Sequence, residues 1–179
     1  MPSINSIKKG LRKKSAIEVI TDDCYLSSGS TMVNLACSGR SIGAFIKGHY
    51  YFFVGDSDSG KTWLCLTCLA EACLNPAFKE YRLIYDATEH GAIMDWERFF
   101  GSRLAKRVEP PRMVKGEPIY SETAQDFYYH VSDAIDAGIP FIYILDSQDA
   151  LSSKEEIDKF KKTKTAVRRR SRGEKVEKI

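Results

Sequence analysis

The stretch that decides the fold is Gly55-Asp56-Ser57-Asp58-Ser59-Gly60-Lys61-Thr62, which fits the phosphate-binding loop pattern G-x-x-x-x-G-K-[ST]. The β-prone run Tyr50–Val54 precedes it, and the apolar segment over 61–74 that follows predicts a helix ended by Asn75-Pro76. The motif requires this order of strand, loop and helix, because the loop must present its backbone N–H groups at the start of a helix. The stretch therefore predicts a phosphate-binding domain of the α/β class.

Each fixed position of the loop pattern has a chemical role. The glycines let the backbone curl so that successive N–H groups point inward and hold a phosphate. Lys61 would reach the β- and γ-phosphate oxygens, and the Thr62 hydroxyl would bind Mg²⁺. The loop thus predicts a nucleoside triphosphate, bound with magnesium, as the ligand.

A second apolar run, Phe141–Leu145, ends in Asp146. Because the run has no polar alternation, it predicts a strand in a sheet that is covered on both faces. Downstream of a phosphate loop, the carboxylate at the end of such a strand lies beside the magnesium ion, usually with water between them. Asp146 is therefore the second predicted magnesium residue, beside Thr62.

Hydrolysis requires a further carboxylate that orients or deprotonates the attacking water. Asp86 and Glu89 both lie at the end of a predicted strand over 82–86, near the carboxyl edge where open α/β sheets bind their ligands. Sequence spacing alone does not choose between these two residues.

The rest of the chain predicts further elements around this nucleus. A short helix is expected near 31–37, and another over 91–100. Residues 102–120 carry three prolines and predict irregular chain, after which Ser121 is the expected N-cap of a helix that runs to about Ala137. This order of elements predicts an α/β domain with a mainly parallel central sheet flanked by helices.

The net charge of +3 over 179 residues conceals a strong asymmetry. Residues 1–14 carry five Lys/Arg and no acid, residues 154–179 carry eleven Lys/Arg against five Asp/Glu, and the body between them has eleven bases against nineteen acids. We expect a basic arm over 1–16, a core over 17–153 and a flexible basic tail over 154–179. The basic ends either contact an anionic partner, nucleic acid first, or are simply solvated.

Five cysteines and the lack of a charged and apolar leader predict free thiols in a reducing, cytoplasmic compartment. Cys65 and Cys68 form a C-x-x-C pair, for which a redox or zinc site is the alternative to core thiols. No second pair stands at metal-ligand spacing, and His49, His90 and His130 show none, so core thiols and no zinc are expected. The longest apolar runs are much shorter than the ~20 residues of a membrane-spanning helix, so no membrane association is expected.

Four stretches together resemble the RecA family of recombination ATPases, especially the short RecA-like proteins of bacteriophages. They are Ser28-Gly29-Ser30 with Asn34-Leu35-Ala36 and Lys47-Gly48, the phosphate loop, Asp86-Ala87-Thr88-Glu89-His90, and Leu145-Asp146-Ser147-Gln148-Asp149-Ala150-Leu151. The likeness covers residues 17–153 in the family's order. It implies a RecA-like ATP-binding core of a DNA-dependent ATPase that acts in homologous recombination, DNA repair or phage replication, in the cytoplasm of a bacterial or phage-infected cell.

The resemblance also assigns roles to individual residues. It implies that Glu89 is the catalytic carboxylate, acting with Lys61 on ATP and Mg²⁺, and that Asp86 is structural. Trp96 matches the family's adenine-facing aromatic residue, although it could equally belong to a core face with the phenylalanines of its helix. In this family the nucleotide lies at a subunit interface, which implies self-assembly into a filament or ring on DNA.

The basic tail stands where the family's first DNA-contacting loop would begin. Its positive side chains suit the neutralisation of single-stranded DNA phosphates without base readout, and a solvated charged helix is the alternative. The candidate DNA contacts are Lys161, Lys162, Lys164, Arg168, Arg169, Arg170 and Arg172.

Two features depart from the family's pattern. Asp56 and Asp58 place negative charge in the loop, which weakens triphosphate binding unless their side chains turn outward. RecA-like cores also continue past the magnesium strand, whereas this sequence ends soon after Asp146, so we expect a truncated core or, alternatively, a reduced protein completed by a partner. A ring-forming RecA-like helicase or clock-type ATPase, and a nucleotide-binding regulatory module without turnover, are the alternative functions.

Overall fold

A computed structural model describes residues 20–89 and 95–153, together with 155, 156, 159, 162 and 163. The chain divides into two compact units, Met1–Tyr51 and Phe52–Ile179. The predicted basic arm lies outside the described residues, and so does most of the basic tail. Within the described part of the chain, no helix combines the length and the hydrophobicity that a bilayer crossing needs.

The named elements follow one another along both units. In chain order they are β1 (Tyr25–Leu26), α1 (Thr31–Ser38), β2 (Phe45–Ile46), α2 (Lys61–Leu74), β3 (Arg82–Ala87), α3 (Trp96–Phe100), α4 (Ser102–Arg107), β4 (Arg112–Val114), β5 (Glu117–Ile119), α5 (Ala124–Asp136) and β6 (Phe141–Asp146).

The first unit holds a two-stranded antiparallel ladder, in which β1 pairs with β2. Helix α1 lies between these strands in the chain, and the Ser30 side chain caps its start by accepting a hydrogen bond from the Val33 N–H. The buried Asn34 side chain accepts hydrogen bonds from the N–H and hydroxyl groups of Ser28, which ties the helix to the chain before it. The helix predicted near 31–37 is confirmed.

The second unit is built on the parallel pair of strands β3 and β6. The six residues of each strand are in continuous register, from Arg82 opposite Phe141 to Ala87 opposite Asp146. Parallel strands need a long crossover connection, and α3, α4 and α5 lie within it. Both strands fall where the sequence predicts them, and their parallel pairing with helices between confirms a mixed α/β fold.

Helices α2 and α5 pack on opposite faces of this pair. Helix α2 contacts β6 and buries Leu66, Leu69 and Ala72 along one face. Helix α5 contacts the other face through Phe127, whose ring lies 5.6 Å from the ring of Tyr143. The prediction of helix 61–74 is confirmed, and the unit has the layered helix–sheet–helix arrangement of an α/β domain.

The predicted strand over 50–54 is wrong. Among the described residues no strand pairs with this segment, and Tyr50, Phe52 and Val54 are 88%, 77% and 94% exposed. A β-prone composition favours an extended backbone, whereas a strand also needs a neighbour to satisfy its N–H and C=O groups.

The prediction of irregular chain over 102–120 is also wrong. Helix α4 begins at Ser102, and β4 and β5 then form an antiparallel hairpin. Its two turn residues, Lys115 and Gly116, have φ of 55° and 88°, which is the left-handed pair that a tight two-residue hairpin requires. The prolines flank these elements or lie on the exposed edge of the hairpin, where no N–H is needed.

The prediction that Ser121 is the N-cap of the following helix is wrong. Helix α5 begins two residues later with a capping box, in which the Thr123 hydroxyl accepts from the Asp126 N–H and the Asp126 carboxylate accepts from the Thr123 N–H. Ser121 is fully buried and binds the sheet instead.

Candidate functional site

The phosphate loop leads directly into helix α2. Gly60 is the N-cap, with φ of 89°, and no side chain caps the helix. The first N–H groups of α2 therefore have no side-chain acceptor and face the loop, where the positive end of the helix favours an anion. A Cβ atom at Gly55 would lie 2.8 Å from Ser59 Oγ, so a side chain at this position would require the Ser59 side chain to move.

Lys61 is folded over the same loop. Its Nζ donates hydrogen bonds to the carbonyl oxygens of Gly55, at 2.8 Å, and Asp56, at 2.7 Å. These contacts hold the ammonium group at the mouth of the loop, next to the free N–H groups of the helix. The lysine and the helix start thus contribute positive charge to one place.

Asp56 and Asp58 are exposed, as is every residue from Val54 to Gly60. Asp58 has φ of 60°, a left-handed conformation that aspartate tolerates better than most side chains. Their exposure weakens the repulsion expected in the sequence, because water screens the two charges.

Asp146 ends β6 beside helix α2. Its Oδ2 accepts a 2.6 Å hydrogen bond from the hydroxyl of Tyr85. Its negative charge also acts on the thiol of Cys65, where burial first and Asp146 second raise the pKa to about 12. Thr62 lies three residues before Cys65, on the same side of the helix and one turn nearer the loop. The structure therefore places the N-terminal half of α2 near Asp146.

Glu89 follows β3 at the same edge of the sheet. Its Oε1 accepts a 2.5 Å hydrogen bond from the Ser147 hydroxyl, and the carboxylate is exposed. Thr88 joins the strand ends a second time, since its hydroxyl donates to the Ser147 carbonyl at 2.7 Å and its N–H donates to the Asp146 carbonyl at 2.8 Å. These bonds fix the candidate base and the magnesium carboxylate on adjacent strand ends.

Asp86 lies on the opposite face of the sheet and is 5% exposed. It accepts hydrogen bonds from the Ser121 N–H at 3.0 Å, from the Ser121 hydroxyl at 2.6 Å and from the Tyr143 hydroxyl at 2.6 Å. The His130 ring nitrogen lies 3.8 Å from the same carboxylate. A carboxylate so enclosed is a structural anchor for α5, which supports Glu89 over Asp86 for contact with water.

Trp96 begins α3 and packs against Tyr85, edge to face, with ring centroids 5.1 Å apart. The phenylalanines of the same helix turn elsewhere, because the rings of Phe99 and Phe100 both contact Trp63. Trp96, Tyr85 and Ala87 line one side of a cavity of about 460 Å³ next to the carboxyl end of β3. Trp96 is thus separate from the aromatic cluster on Trp63 and faces open space.

The cysteines of α2 are thiols. Cys65 and Cys68 are free, Cys68 is 4% exposed, and burial raises its pKa to about 12. In the described residues there is no group of three His, Cys, Asp or Glu side chains that could hold a metal ion by itself. A magnesium ion bound with a nucleotide needs less, because phosphates and water supply most of its ligands. The hydroxyl of Thr62 and the carboxylate of Asp146 are oxygen ligands of the kind that magnesium takes.

The sequence predicts no role for Tyr85, Tyr143 and Ser147, and it predicts Ser121 only as an N-cap. The contacts of the two tyrosines follow from the strand period of two, because each tyrosine is the diagonal neighbour of an aspartate on the adjacent strand. That relationship needs the register of β3 against β6, which the sequence does not provide. Of the candidate DNA contacts, Lys162 alone is described, and it is exposed; Lys161, Lys164, Arg168, Arg169, Arg170 and Arg172 lie outside the described residues.

Comparison with known proteins finds a relative that is similar in sequence. The chain is 30% identical to Protein RecA of Cytophaga hutchinsonii over 154 residues, which cover 84% of this chain and 38% of that protein. It is similar to RecA. The chain thus spans less than half the length of the relative it matches. No family model matches the chain, and no solved structure does.

Proposed function

We propose that the chain is a RecA-like ATP-binding core that holds ATP and Mg²⁺ where the start of α2 meets the carboxyl ends of β3 and β6. The observation that supports this proposal is the packing of α2, the helix that follows the glycine-rich loop, on β6, the strand that ends in Asp146. The 30% identity to a RecA protein supports the same assignment from an independent direction. The activity proposed is ATP hydrolysis in DNA recombination, repair or phage replication.

The residues of the loop have separate tasks in this proposal. The uncapped N–H groups of α2 bind phosphate oxygens, and Lys61 exchanges its two carbonyl partners for the β- and γ-phosphates. Thr62 and Asp146 hold the magnesium ion, Asp146 through water. When bound, the ion neutralises charge that develops on the phosphates during transfer.

Glu89 is the proposed general base. It is the exposed carboxylate at the end of β3, next to Asp146 and Ser147, whereas Asp86 is enclosed on the other face. The Ser147 hydroxyl donates to one carboxylate oxygen and leaves the other to orient a water molecule. Trp96 is the proposed adenine contact, since it borders the cavity beside β3.

The partners proposed for the chain are single-stranded DNA and further copies of itself. The basic tail supplies the candidate DNA contacts, and RecA likeness supports assembly into a filament or a ring. A filament with strand exchange would distinguish a recombination protein from a ring-forming helicase. Both would differ from a regulatory module, which binds ATP without turnover.

Titration calorimetry with Mg²⁺ and ATP tests the binding site. We expect Lys61→Ala to weaken ATP binding at least about tenfold, because it removes a charge-assisted contact to the phosphates. Lys79→Ala is the matched control, since Lys79 is an exposed lysine of the same unit. Wild-type protein that does not bind ATP, or equal affinities for the two variants, would contradict the proposal.

Steady-state phosphate release, with and without single-stranded DNA, tests turnover. Glu89→Gln should keep ATP affinity within about threefold and lower the hydrolysis rate by about a hundredfold or more, because the general base is lost while the phosphate contacts remain. ATP binding without hydrolysis in the wild type would favour the regulatory module.

A further inference from the structure

We propose that Tyr85 is a positioning residue for Asp146 and sets the magnesium dependence of nucleotide binding. This inference rests on the proposed function, since it concerns the same site. The ring of Tyr85 lines the cavity beside Trp96, but its hydroxyl, which is the subject of this proposal, touches neither nucleotide nor metal and is bound to Asp146. It acts through the carboxylate that it holds.

The register of the sheet makes the contact possible. Tyr85 stands opposite Ile144, and Ala87 stands opposite Asp146, so Tyr85 and Asp146 are diagonal neighbours on one face. The small side chain of Ala87 leaves the phenol room to reach across, and the Tyr85 hydroxyl donates to Asp146 Oδ2 at 2.6 Å. The bond fixes one of the two carboxylate oxygens of Asp146.

Packing holds the phenol in place. Tyr85 is 7% exposed, and its ring meets Trp96 edge to face at 5.1 Å. A side chain this enclosed has few rotamers available, so the hydroxyl presents a fixed donor to the carboxylate. The same ring therefore joins the proposed adenine contact to the proposed magnesium carboxylate.

The opposite face of the sheet offers a matched control. Tyr143 of β6 donates to Asp86 of β3 at 2.6 Å, as Tyr85 of β3 donates to Asp146 of β6. Both tyrosines are largely buried, and each loses only its hydroxyl when changed to phenylalanine. A general loss of stability would affect both variants, whereas a positioning role would affect Tyr85→Phe alone.

The test is the magnesium concentration that gives half-maximal binding of ATP, measured by calorimetry on the full chain. We expect Tyr85→Phe to raise this concentration about five- to tenfold and to leave ATP affinity in EDTA unchanged, because the hydroxyl acts on the metal side of the site. Tyr143→Phe should match the wild type. Electron paramagnetic resonance of Mn²⁺ gives a second readout. Tyr85→Phe should weaken the binding of Mn²⁺ in the presence of ATP by the same factor.

A double variant separates positioning from packing. In an Asp146→Asn background, where the carboxylate is already lost, adding Tyr85→Phe should change the magnesium requirement by less than about twofold. Wild-type magnesium dependence in Tyr85→Phe, or an equal shift in Tyr143→Phe, would overturn the inference while leaving the proposed function intact. Failure of the wild type to bind ATP with magnesium would overturn both.

Discussion

Tyr143 and Asp86 are joined across the parallel strands by a 2.6 Å hydrogen bond on the face of the sheet that α5 covers. Ile84 stands opposite Tyr143, so Asp86 is the diagonal neighbour of that tyrosine. Asp146 has the equivalent relationship with Tyr85 on the face that α2 covers. The two aspartates at the strand ends therefore lie on opposite faces of the sheet, Asp86 on the face that α5 covers and Asp146 on the face that α2 covers.

Replacing Asp86 with alanine should lower the free energy of unfolding by about 3 kcal/mol. The change leaves the Ser121 and Tyr143 hydroxyls buried without their acceptor, and hydrogen bonds to a charged group are among the stronger ones. Urea denaturation of Asp86→Ala measures the effect. Asp136→Ala, at an exposed position on α5, should stay within about 0.5 kcal/mol of the wild type. Equal stability of the two variants would show that Asp86 is no anchor.

Replacing Asp58 with asparagine should tighten ATP binding about two- to fivefold at low salt. Asparagine tolerates the left-handed φ of 60° and has nearly the same shape, so the change removes a negative charge and little else. Calorimetry at two salt concentrations checks this, because screening should reduce the gain near 0.3 M salt. Unchanged or weaker binding at low salt would mean that Asp58 does not face the phosphates.

Cys68 should react with iodoacetamide at least about a hundredfold more slowly than Cys37 at pH 8. Cys37 is exposed, whereas Cys68 is buried and its pKa is raised to about 12. Only the thiolate reacts, and the thiolate fraction of Cys68 is small below that pKa and rises about tenfold with each pH unit. Peptide mass spectrometry after timed labelling gives both rates. Similar rates at pH 8, or a Cys68 rate that levels off below pH 9, would disagree with a buried thiol.

The basic tail should give single-stranded DNA binding a steep salt dependence. Replacing Arg168, Arg169 and Arg170 with alanine should make the slope of log affinity against log salt shallower by about two, at roughly 0.7 per lost phosphate contact. Fluorescence anisotropy of a labelled oligonucleotide measures the slope. A variant with three alanines in place of Lys8, Lys9 and Arg12 has the same net charge, and its slope should change less. The same slope in wild type and tail variant would place the DNA contacts elsewhere.

The elements that the sequence predicts well are those whose secondary structure is determined by their own residues. Helix α2 has a wide apolar face between a glycine N-cap and Asn75-Pro76, and β3 and β6 are compact runs that no helical period fits. Residues 50–54 have the same composition as a strand. The prediction of a strand there is wrong because strand pairing depends on a neighbouring strand, which local composition does not reveal.

Ser121 shows for a single side chain that local sequence does not reveal a distant partner. A serine before an apolar helix is a good N-cap, and Thr123 with Asp126 is a better one, because it forms a reciprocal capping box. Ser121 is taken by Asp86, a residue 35 positions earlier in the chain. Thr62 and Asp146 are predicted from motifs and Glu89 from the family resemblance, whereas the contacts of Tyr85 and Ser147 become visible only when two strands lie side by side.

The sorting of the two aspartates by face has a consequence for how the sequence can vary. Each tyrosine–aspartate pair draws its partners from both strands, yet the backbone of the sheet separates the two pairs, and they share no side chain. The hydroxyl of one tyrosine can therefore be removed without removing a side chain of the other pair. Substitutions could retune the metal side of the sheet while the anchor of α5 stays intact, so chemistry and architecture are independently adjustable within the same six-residue strands.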